Sequence, residues 1–138
     1  RLNRRQRQMC IRDRVSIFMN VFNCHVNRIP TSGKIEEIYY KPGKFLNASL
    51  DKASEENERN YFKIHSKNNN EEIVIVQIAG LIARRIVTQV VKTQKIKQGE
   101  RLGMIRLGSR VDIYFCQRNT MVKVGQNVIA GECLIARK

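Results

Sequence analysis

Short apolar runs of strand length, separated by turn residues, fill most of the chain. The runs at 15–22, 34–40 and 72–78 are rich in β-branched and aromatic side chains, which favour β-strands over helices. Residues 61–65 mix apolar and polar positions in the manner of a half-buried strand. Proline and glycine turns separate these runs. The pattern therefore predicts a mainly β fold of short strands and hairpins.

Two segments are harder to assign from the pattern. Residues 45–60 are polar and rich in alanine, serine and glutamate, so they fit either a short helix or a long ordered loop. Residues 81–91 have a length that suits either a helix or a strand. Their β-branched side chains, such as Ile86 and Val87, favour a strand. We therefore expect at most one or two short helices in the chain.

The last third of the chain contains a weak internal repeat. Residues 96–102 and 122–128 each place a glycine, Gly99 or Gly125, three positions before an apolar residue. Glycine at such a position allows a tight bend before a strand. The repeat resembles the hairpins of biotinyl- and lipoyl-carrier domains, although neither bend offers the lysine motif of those carriers. The 138 residues suit a single domain with a carrier-hairpin-like C-terminal part.

The chain is strongly basic, with a formal net charge of +14. Residues 1–13 are rich in arginine and show no apolar periodicity, so we interpret them as an arm foreign to the domain. An arm that binds nucleic acid or lipid is the alternative. The remaining basic excess favours an anionic partner: nucleic acid, a membrane surface or an acidic substrate. The longest apolar run, 73–83, is interrupted by Gln77 and is shorter than the roughly 20 residues that span a bilayer.

Metal chemistry has little support in the sequence. The four cysteines form no C-x-x-C pair, and only two histidines, His25 and His65, are present. We therefore expect reduced thiols and no metal site. His65 lies in a polar hairpin and is interpreted as a surface residue.

Gly108 and Ser109 are the residues that suggest chemistry, because they form a sharp break between two strand-like runs. A simple turn is the other explanation for such a pair. Glycine at this break allows backbone geometry that a Cβ would forbid. A serine hydroxyl turned onto the preceding carbonyl can form an ester by an N-to-O acyl shift. Elimination of that ester gives dehydroalanine, which hydrolyses to a pyruvoyl group and ammonia.

Long strings of this sequence resemble the phosphatidylserine decarboxylase family, in the short proenzyme type of bacteria and archaea. The strings are VSIFMNVFNCHVNRIP (15–30), GKIEEIYYKPGKFLNASLDKASEENERN (33–60), IVIVQIAGLIARRIV (73–87) and GERLGMIRLGSRVDIY (99–114). They occur in order and run from Val15 towards the C-terminus. The resemblance therefore places the decarboxylase domain at residues 14–138 and leaves residues 1–13 outside it.

The resemblance implies a carboxy-lyase that is made as a zymogen. The chain would cut itself between Gly108 and Ser109, so that residues 14–108 belong to a large chain and 109–138 to a small chain. The two chains would form a heterodimer, with a higher oligomer left open. Ser109 would become the pyruvoyl cofactor, whose ketone condenses with the amine of phosphatidylserine and accepts electrons as carbon dioxide leaves. Phosphatidylethanolamine is then the product, as in phospholipid biosynthesis, and no metal is implied.

The resemblance also implies an acid–base role for His25, in the string HVNR, during cleavage, decarboxylation or protonation. Longer family members carry a second histidine where this chain has Arg28. They also carry an upstream aspartate that has no match before Val15, and Asp112 is a conceivable substitute. We therefore expect that the N-terminal third of the natural protein, with its hydrophobic anchor, is missing from this chain. Whether the chain matures by itself is left open.

Four arginines are candidates for binding the phosphate of the lipid substrate, since a guanidinium binds phosphate through two hydrogen bonds. They are Arg28, Arg84, Arg85 and Arg110. The basic residues also fit an enzyme at the cytoplasmic face of the cell membrane, held there peripherally or by the missing anchor. We expect membrane phosphatidylserine as the partner and no nucleic acid.

Two other functions stay open from the residues alone. A basic β-rich nucleic-acid-binding module would interleave aromatic and basic residues on one strand face, but the aromatics here lie largely in apolar runs. A non-catalytic, carrier-like module would fit the repeated bend. Denaturing electrophoresis separates these hypotheses, because only a decarboxylase proenzyme would split near Gly108.

Overall fold

The computed structural model describes residues 13–19, 26–44, 56–66, 71–80, 86–105, 109–116, 119–129 and 134–137. Within these residues the chain forms eleven β-strands. In chain order they are Asp13–Met19 (β1), Val26–Arg28 (β2), Gly33–Lys41 (β3), Arg59–Ser66 (β4), Glu71–Ile78 (β5), Ile86–Thr88 (β6), Lys95–Ile96 (β7), Arg101–Ile105 (β8), Ser109–Phe115 (β9), Asn119–Thr120 (β10) and Ala136–Arg137 (β11). The prediction of a mainly β fold is confirmed.

The described strands pair in three antiparallel sheets. The large sheet has the order β1-β9-β5-β4-β3-β7, and the small sheet has the order β2-β8-β6. The strands β10 and β11 pair with each other. In the large sheet β3, β4 and β5 are neighbours both in sequence and in space, whereas β9 lies between β1 and β5. β9 is therefore an internal strand, hydrogen-bonded on both sides.

Residues of the large and small sheets share one apolar core. Its fully buried members include Ile35, Phe62, Ile64, Leu102 and Ile105. A smaller apolar cluster lies elsewhere on β4, β5 and β9, and its members are Tyr61, Val74, Val76, Ile78 and Tyr114. Because side chains alternate along a strand, β5 contributes one face to each cluster. This burial on both faces explains why its sequence is almost unbroken apolar.

Three turns share one construction. In the first, the Glu100 N–H donates to the Lys97 carbonyl, and the Lys97 N–H donates to the Glu100 carboxylate. The turns Val91–Gln94 and Lys123–Gln126 have the same two bonds, with a glutamine side chain as acceptor. The third residue of each turn has a positive φ: Thr93 (71°), Gly99 (87°) and Gly125 (86°). The bends predicted at Gly99 and Gly125 are therefore confirmed.

The segments that were hard to assign are described only in part. Of residues 81–91, Ile86–Thr88 forms strand β6, and beyond it the Gln89 N–H donates to the Leu102 carbonyl at 3.0 Å. Residues 45–55 and 81–85 lie outside the described residues, so a helix and a loop both stay open for the first segment. No helix among the described residues has the length and apolar character needed to cross a bilayer.

Candidate active site

The predicted cleavage site, Gly108–Ser109, lies where the chain enters β9. Ser109 is the first residue of β9 and pairs with Met19, the last residue of β1. On its other side β9 pairs with β5, where Arg110 lies opposite Ile78. Gly108 lies outside the described residues. The bond before Ser109 therefore joins an internal strand of the large sheet to the segment that precedes it.

The strand that follows His25 reaches the same part of the molecule. His25 itself lies outside the described residues, but Val26 begins β2 and pairs with Met104 on β8. The chain passes from the large to the small sheet between β1 and β2, and it passes back between β8 and β9. Both connections join the same two pairs of strands: β1 pairs with β9 in the large sheet, and β2 pairs with β8 in the small sheet. We call this place the sheet corner; its four strand ends are Met19, Val26, Ile105 and Ser109.

A polar contact joins the two sheets beside the sheet corner. Gln77 of β5 is fully buried, and its Nε2 donates to Oδ1 of Asn27 at 2.7 Å. Nδ2 of Asn27 lies 3.8 Å from Sδ of Met19, which is the geometry of a weak hydrogen bond. From the sequence, Gln77 stands out only as a break in an apolar run, and Asn27 only as part of the string HVNR. One polar residue in an otherwise apolar strand is the signal that points to this contact.

A buried ion pair fixes the start of β9. Nε and Nη2 of Arg110 donate to the two carboxylate oxygens of Asp112, each at 2.7 Å. The two side chains are 4% and 0% exposed, and the guanidinium carbon lies 5.5 Å from the ring centre of Phe18. The expectation that Arg110 binds a lipid phosphate does not fit this burial, because its guanidinium is bonded to Asp112 instead of facing solvent. Asp112, three residues after Ser109, is the buried partner of this guanidinium.

The other predicted phosphate ligands are placed in part. Arg28 ends β2 with an exposed side chain, and its Nη1 donates to the Gly99 carbonyl at 2.8 Å. It lies opposite Arg101 of β8, which is also exposed and which the sequence did not single out. Like charges directly opposite each other repel, so an anion between them would stabilise the pair. Arg84 and Arg85 lie outside the described residues.

A second charged cluster lies at the other end of the large sheet. Nζ of Lys63 lies 3.5 Å from Glu36 and 3.4 Å from Glu72, and Nδ1 of His65 lies 4.0 Å from Glu36. Burial alone would lower the pKa of Lys63, but the carboxylates of Glu72 and Glu36 outweigh it and raise that pKa. His65 is half-buried rather than a fully exposed surface residue.

This charged cluster also contains possible metal ligands. Ligand atoms of Glu36, His65 and Glu72 lie within 4.8 Å of one another. The ammonium of Lys63 lies within salt-bridge distance of both carboxylates, so the geometry is that of an ion-pair network. Ile78 of β5 lies in the same row of paired residues as Arg110. Glu72 is six residues before Ile78 on β5, so Glu72 is about 20 Å from that row. The cluster is therefore separate from the sheet corner.

The sequence matches one family and several named relatives. The model of the family "Phosphatidylserine decarboxylase" matches residues 3–136. A phosphatidylserine decarboxylase proenzyme of Pelagibacter ubique is 67% identical over 125 residues, which is 91% of this chain and 58% of that protein. Proteins of the same name from Nitrobacter winogradskyi and Azorhizobium caulinodans are 56% and 58% identical over 124 residues, or 89% of this chain. They are covered over 50% and 52% of their lengths.

The chain thus spans about half the length of the curated relatives it matches. No solved structure gives a significant match. The matched range of the family model begins inside the basic segment 1–13, of which residues 1–12 lie outside the described residues, so the domain boundary at residue 14 stays a prediction. Since the family model covers nearly every residue, the chain belongs to the phosphatidylserine decarboxylase family.

Proposed function

We propose that the protein is a pyruvoyl-dependent phosphatidylserine decarboxylase that matures by self-cleavage between Gly108 and Ser109. The sheet corner supports this most directly, because the strand that starts at Ser109 and the strand that follows His25 belong to the two strand pairs that meet there. The three relatives named as proenzymes support the same function. None of them is named as a nucleic-acid-binding protein or a carrier, so neither alternative gains support.

In the proposed maturation, the Ser109 hydroxyl attacks the carbonyl carbon of Gly108. The new ester bond replaces the peptide bond and frees the nitrogen of Ser109. Removal of the Ser109 Cα proton, with His25 as the proposed base, then expels the carboxylate of Gly108. Hydrolysis consumes one water, releases ammonia and leaves a pyruvoyl group at position 109. A pyruvoyl carbonyl supplies the electron sink that decarboxylation of an amino acid requires.

The geometry of β9 fits a cut before Ser109. β9 pairs with β1 from Ser109 to Phe115 and with β5 from Arg110 to Tyr114. A cut before the first residue of the strand removes none of these backbone pairs. The small chain 109–138 would therefore stay bound in the interior of the large sheet, which supports the proposal that the two chains remain together as a heterodimer.

The lipid phosphate is proposed to bind at Arg28 and Arg101. Their exposed side chains lie on strands that begin or end at the sheet corner, and Arg28 follows His25 by three residues. Two guanidinium groups can together neutralise a phosphate and hold it through several charge-assisted hydrogen bonds. Arg84 and Arg85 remain further candidates.

We also propose that the protein acts at the cytoplasmic face of the cell membrane, held peripherally or by an anchor. One row of paired residues crosses the end of the large sheet next to Ser109: Phe18, Arg110, Ile78, Arg59 and Lys41. Arg110, Ile78 and Arg59 are buried, whereas Phe18 and Lys41 at the two ends of the row are exposed. Phe18 is 54% exposed, and Tyr40, beside Lys41, is 52% exposed. Aromatic rings suit a membrane interface, and each lysine near an anionic surface contributes about 1 kcal/mol. The exposed side chains therefore support a membrane at this end of the sheet.

Replacing the nucleophile tests the proposed function. In the complete polypeptide that the gene encodes, we expect the wild type to appear as two chains on a denaturing gel and to convert phosphatidylserine in mixed vesicles to phosphatidylethanolamine. Ser109→Ala should stay a single chain without activity, because no hydroxyl is left to attack Gly108. Ser16→Ala, the same change on the neighbouring strand β1, is the matched control and should behave as the wild type.

Two results would overturn this proposal. One is phosphatidylserine turnover by a wild-type protein that remains a single chain. The other is a Ser109→Ala variant that keeps wild-type activity.

A further inference from the structure

The contact between Gln77 and Asn27 is unusual because it is polar and lies where the two sheets meet over an apolar core. We call these two residues the amide bridge. Asn27, on β2, accepts from Nε2 of Gln77 and donates to Sδ of Met19. Since β1 and β5 flank β9, Asn27 is bonded to one side chain from each neighbour of the strand that starts at Ser109.

The amide bridge lies close in register to both proposed reaction residues. Gln77 pairs with Val111, which is two residues after Ser109. Asn27 is two residues after His25, and Met19 pairs with Ser109 itself. The bridge is therefore a short, hydrogen-bonded connection between β2, which follows the proposed base, and β5, which is paired with the strand of the nucleophile, although β2 and β5 belong to different sheets.

The surrounding strands are built to admit this contact. Gly103 of β8 pairs with Asn27, and a Cβ at Gly103 would meet the Val87 carbonyl and come within 3.1 Å of Nε2 of Gln77. A glycine at this position thus leaves the room that the glutamine side chain occupies.

Stability does not explain the choice of glutamine. Oε1 of Gln77 is buried and has no hydrogen-bond partner, which costs about 1–3 kcal/mol relative to a satisfied acceptor. A methionine of similar length would fill the same space in the core without that cost. Oδ1 of the neighbouring Asn60 is buried without a partner as well, so it is the contact with Asn27 beside the sheet corner that sets Gln77 apart.

We propose that Gln77, acting through Asn27, is a positioning residue that fixes the strand following His25 relative to Ser109 for self-cleavage. This inference rests on the proposed function. The amide bridge holds the starts of β2 and β9 at a set separation, so that base and scissile bond are aligned before reaction. Misplacement of reacting groups by about 1 Å can cost up to a hundredfold in rate.

The test follows self-cleavage as it happens. The complete polypeptide is made in a short cell-free translation pulse, and the appearance of the small chain is timed on denaturing gels. We expect Gln77→Met to slow cleavage roughly tenfold to hundredfold. Asn60→Leu is the matched control: Asn60 is a buried amide that pairs with Gln77 and donates to Thr88, but its strand β4 does not flank β9, and Thr88 lies on β6 and not on the strand that follows His25. It should cleave close to the wild-type rate.

A second variant keeps the test decisive if Gln77→Met folds poorly. Asn27→Ala breaks the same bridge at a half-buried position, and it should slow cleavage as Gln77→Met does. Because the two residues act as one unit, the double variant should be no slower than the slower single variant. Thermal unfolding of each variant is measured on a Ser109→Ala background, so that only the uncleaved chain is compared.

The outcomes separate the two proposals. If the wild type never cleaves, the proposed function fails. If the wild type cleaves but Gln77→Met and Asn60→Leu slow cleavage equally, or in proportion to their loss of thermal stability, the positioning role is overturned. The positioning role is overturned as well if the double variant slows cleavage by the product of the two single-variant factors.

Discussion

Thr93 occupies a backbone conformation that the two equivalent turns give to glycine. Its φ is 71°, against 87° for Gly99 and 86° for Gly125. A β-branched side chain is strained in this left-handed region. The Thr93 N–H donates to the Ile35 carbonyl at 2.7 Å, so the turn is tied to the core strand β3 despite the strain.

Thr93→Gly should therefore stabilise the protein. Relief of the strain outweighs the extra freedom of glycine in the unfolded chain, and we expect the free energy of unfolding to rise by about 1 kcal/mol. Urea unfolding on a Ser109→Ala background measures the change. The mirror control is Gly99→Ala, which should lower the free energy of unfolding. A Thr93→Gly variant less stable than the wild type would contradict the conclusion that the backbone of Thr93 is strained.

At the scale of residues, the sequence predicts some of the turns and contacts of the structure and gives no signal for others. Gly99 and Gly125 predict their turns because glycine adopts a positive φ readily. Threonine carries no such signal, so the third turn becomes visible only through the bond from the Val91 N–H to the Gln94 side chain. Gln77 is visible as an interruption of an apolar run, but its partner Asn27 comes from another sheet and no local pattern connects the two.

At the scale of elements, the strands were predictable and their neighbours were not. The runs that became β3, β4 and β5 have the composition of strands, and these three strands pair in chain order. The position of β9 between β1 and β5 has no local signal, because periodicity fixes which face of a strand is buried and not which strand lies beside it. The strand predicted over 81–91 is described as β6 over only three residues.

Because β9 is an internal strand, its buried Arg110–Asp112 ion pair matters for the stability of the fold. Asp112→Ala removes a carboxylate from a buried guanidinium, and we expect the free energy of unfolding to fall by about 3 kcal/mol or more. Urea unfolding on the Ser109→Ala background provides the measurement. The double variant Arg110→Met with Asp112→Leu removes both charges and should lose much less. A loss for Asp112→Ala that is no larger than that of the double variant would contradict the role of the pair.

At the scale of the whole molecule, the fold explains how a chain can be cut and stay assembled. The cut proposed before Ser109 falls at the N-terminal end of an internal strand, so every described backbone pair of β9 survives it. β10 and β11, which follow in the small chain, pair with each other. The resemblance of long sequence strings predicted the family and the position of the cut. It could not show the sheet corner, which arises from pairings between distant parts of the chain.

The most direct measurement is the mass of the complete polypeptide, recorded first under native and then under denaturing conditions. We expect one native assembly that separates on denaturation into two chains. The smaller chain should begin at position 109 and weigh less than the unmodified peptide by one molecule of ammonia. A protein that turns over phosphatidylserine while position 109 is still an intact serine within a single chain would contradict the account.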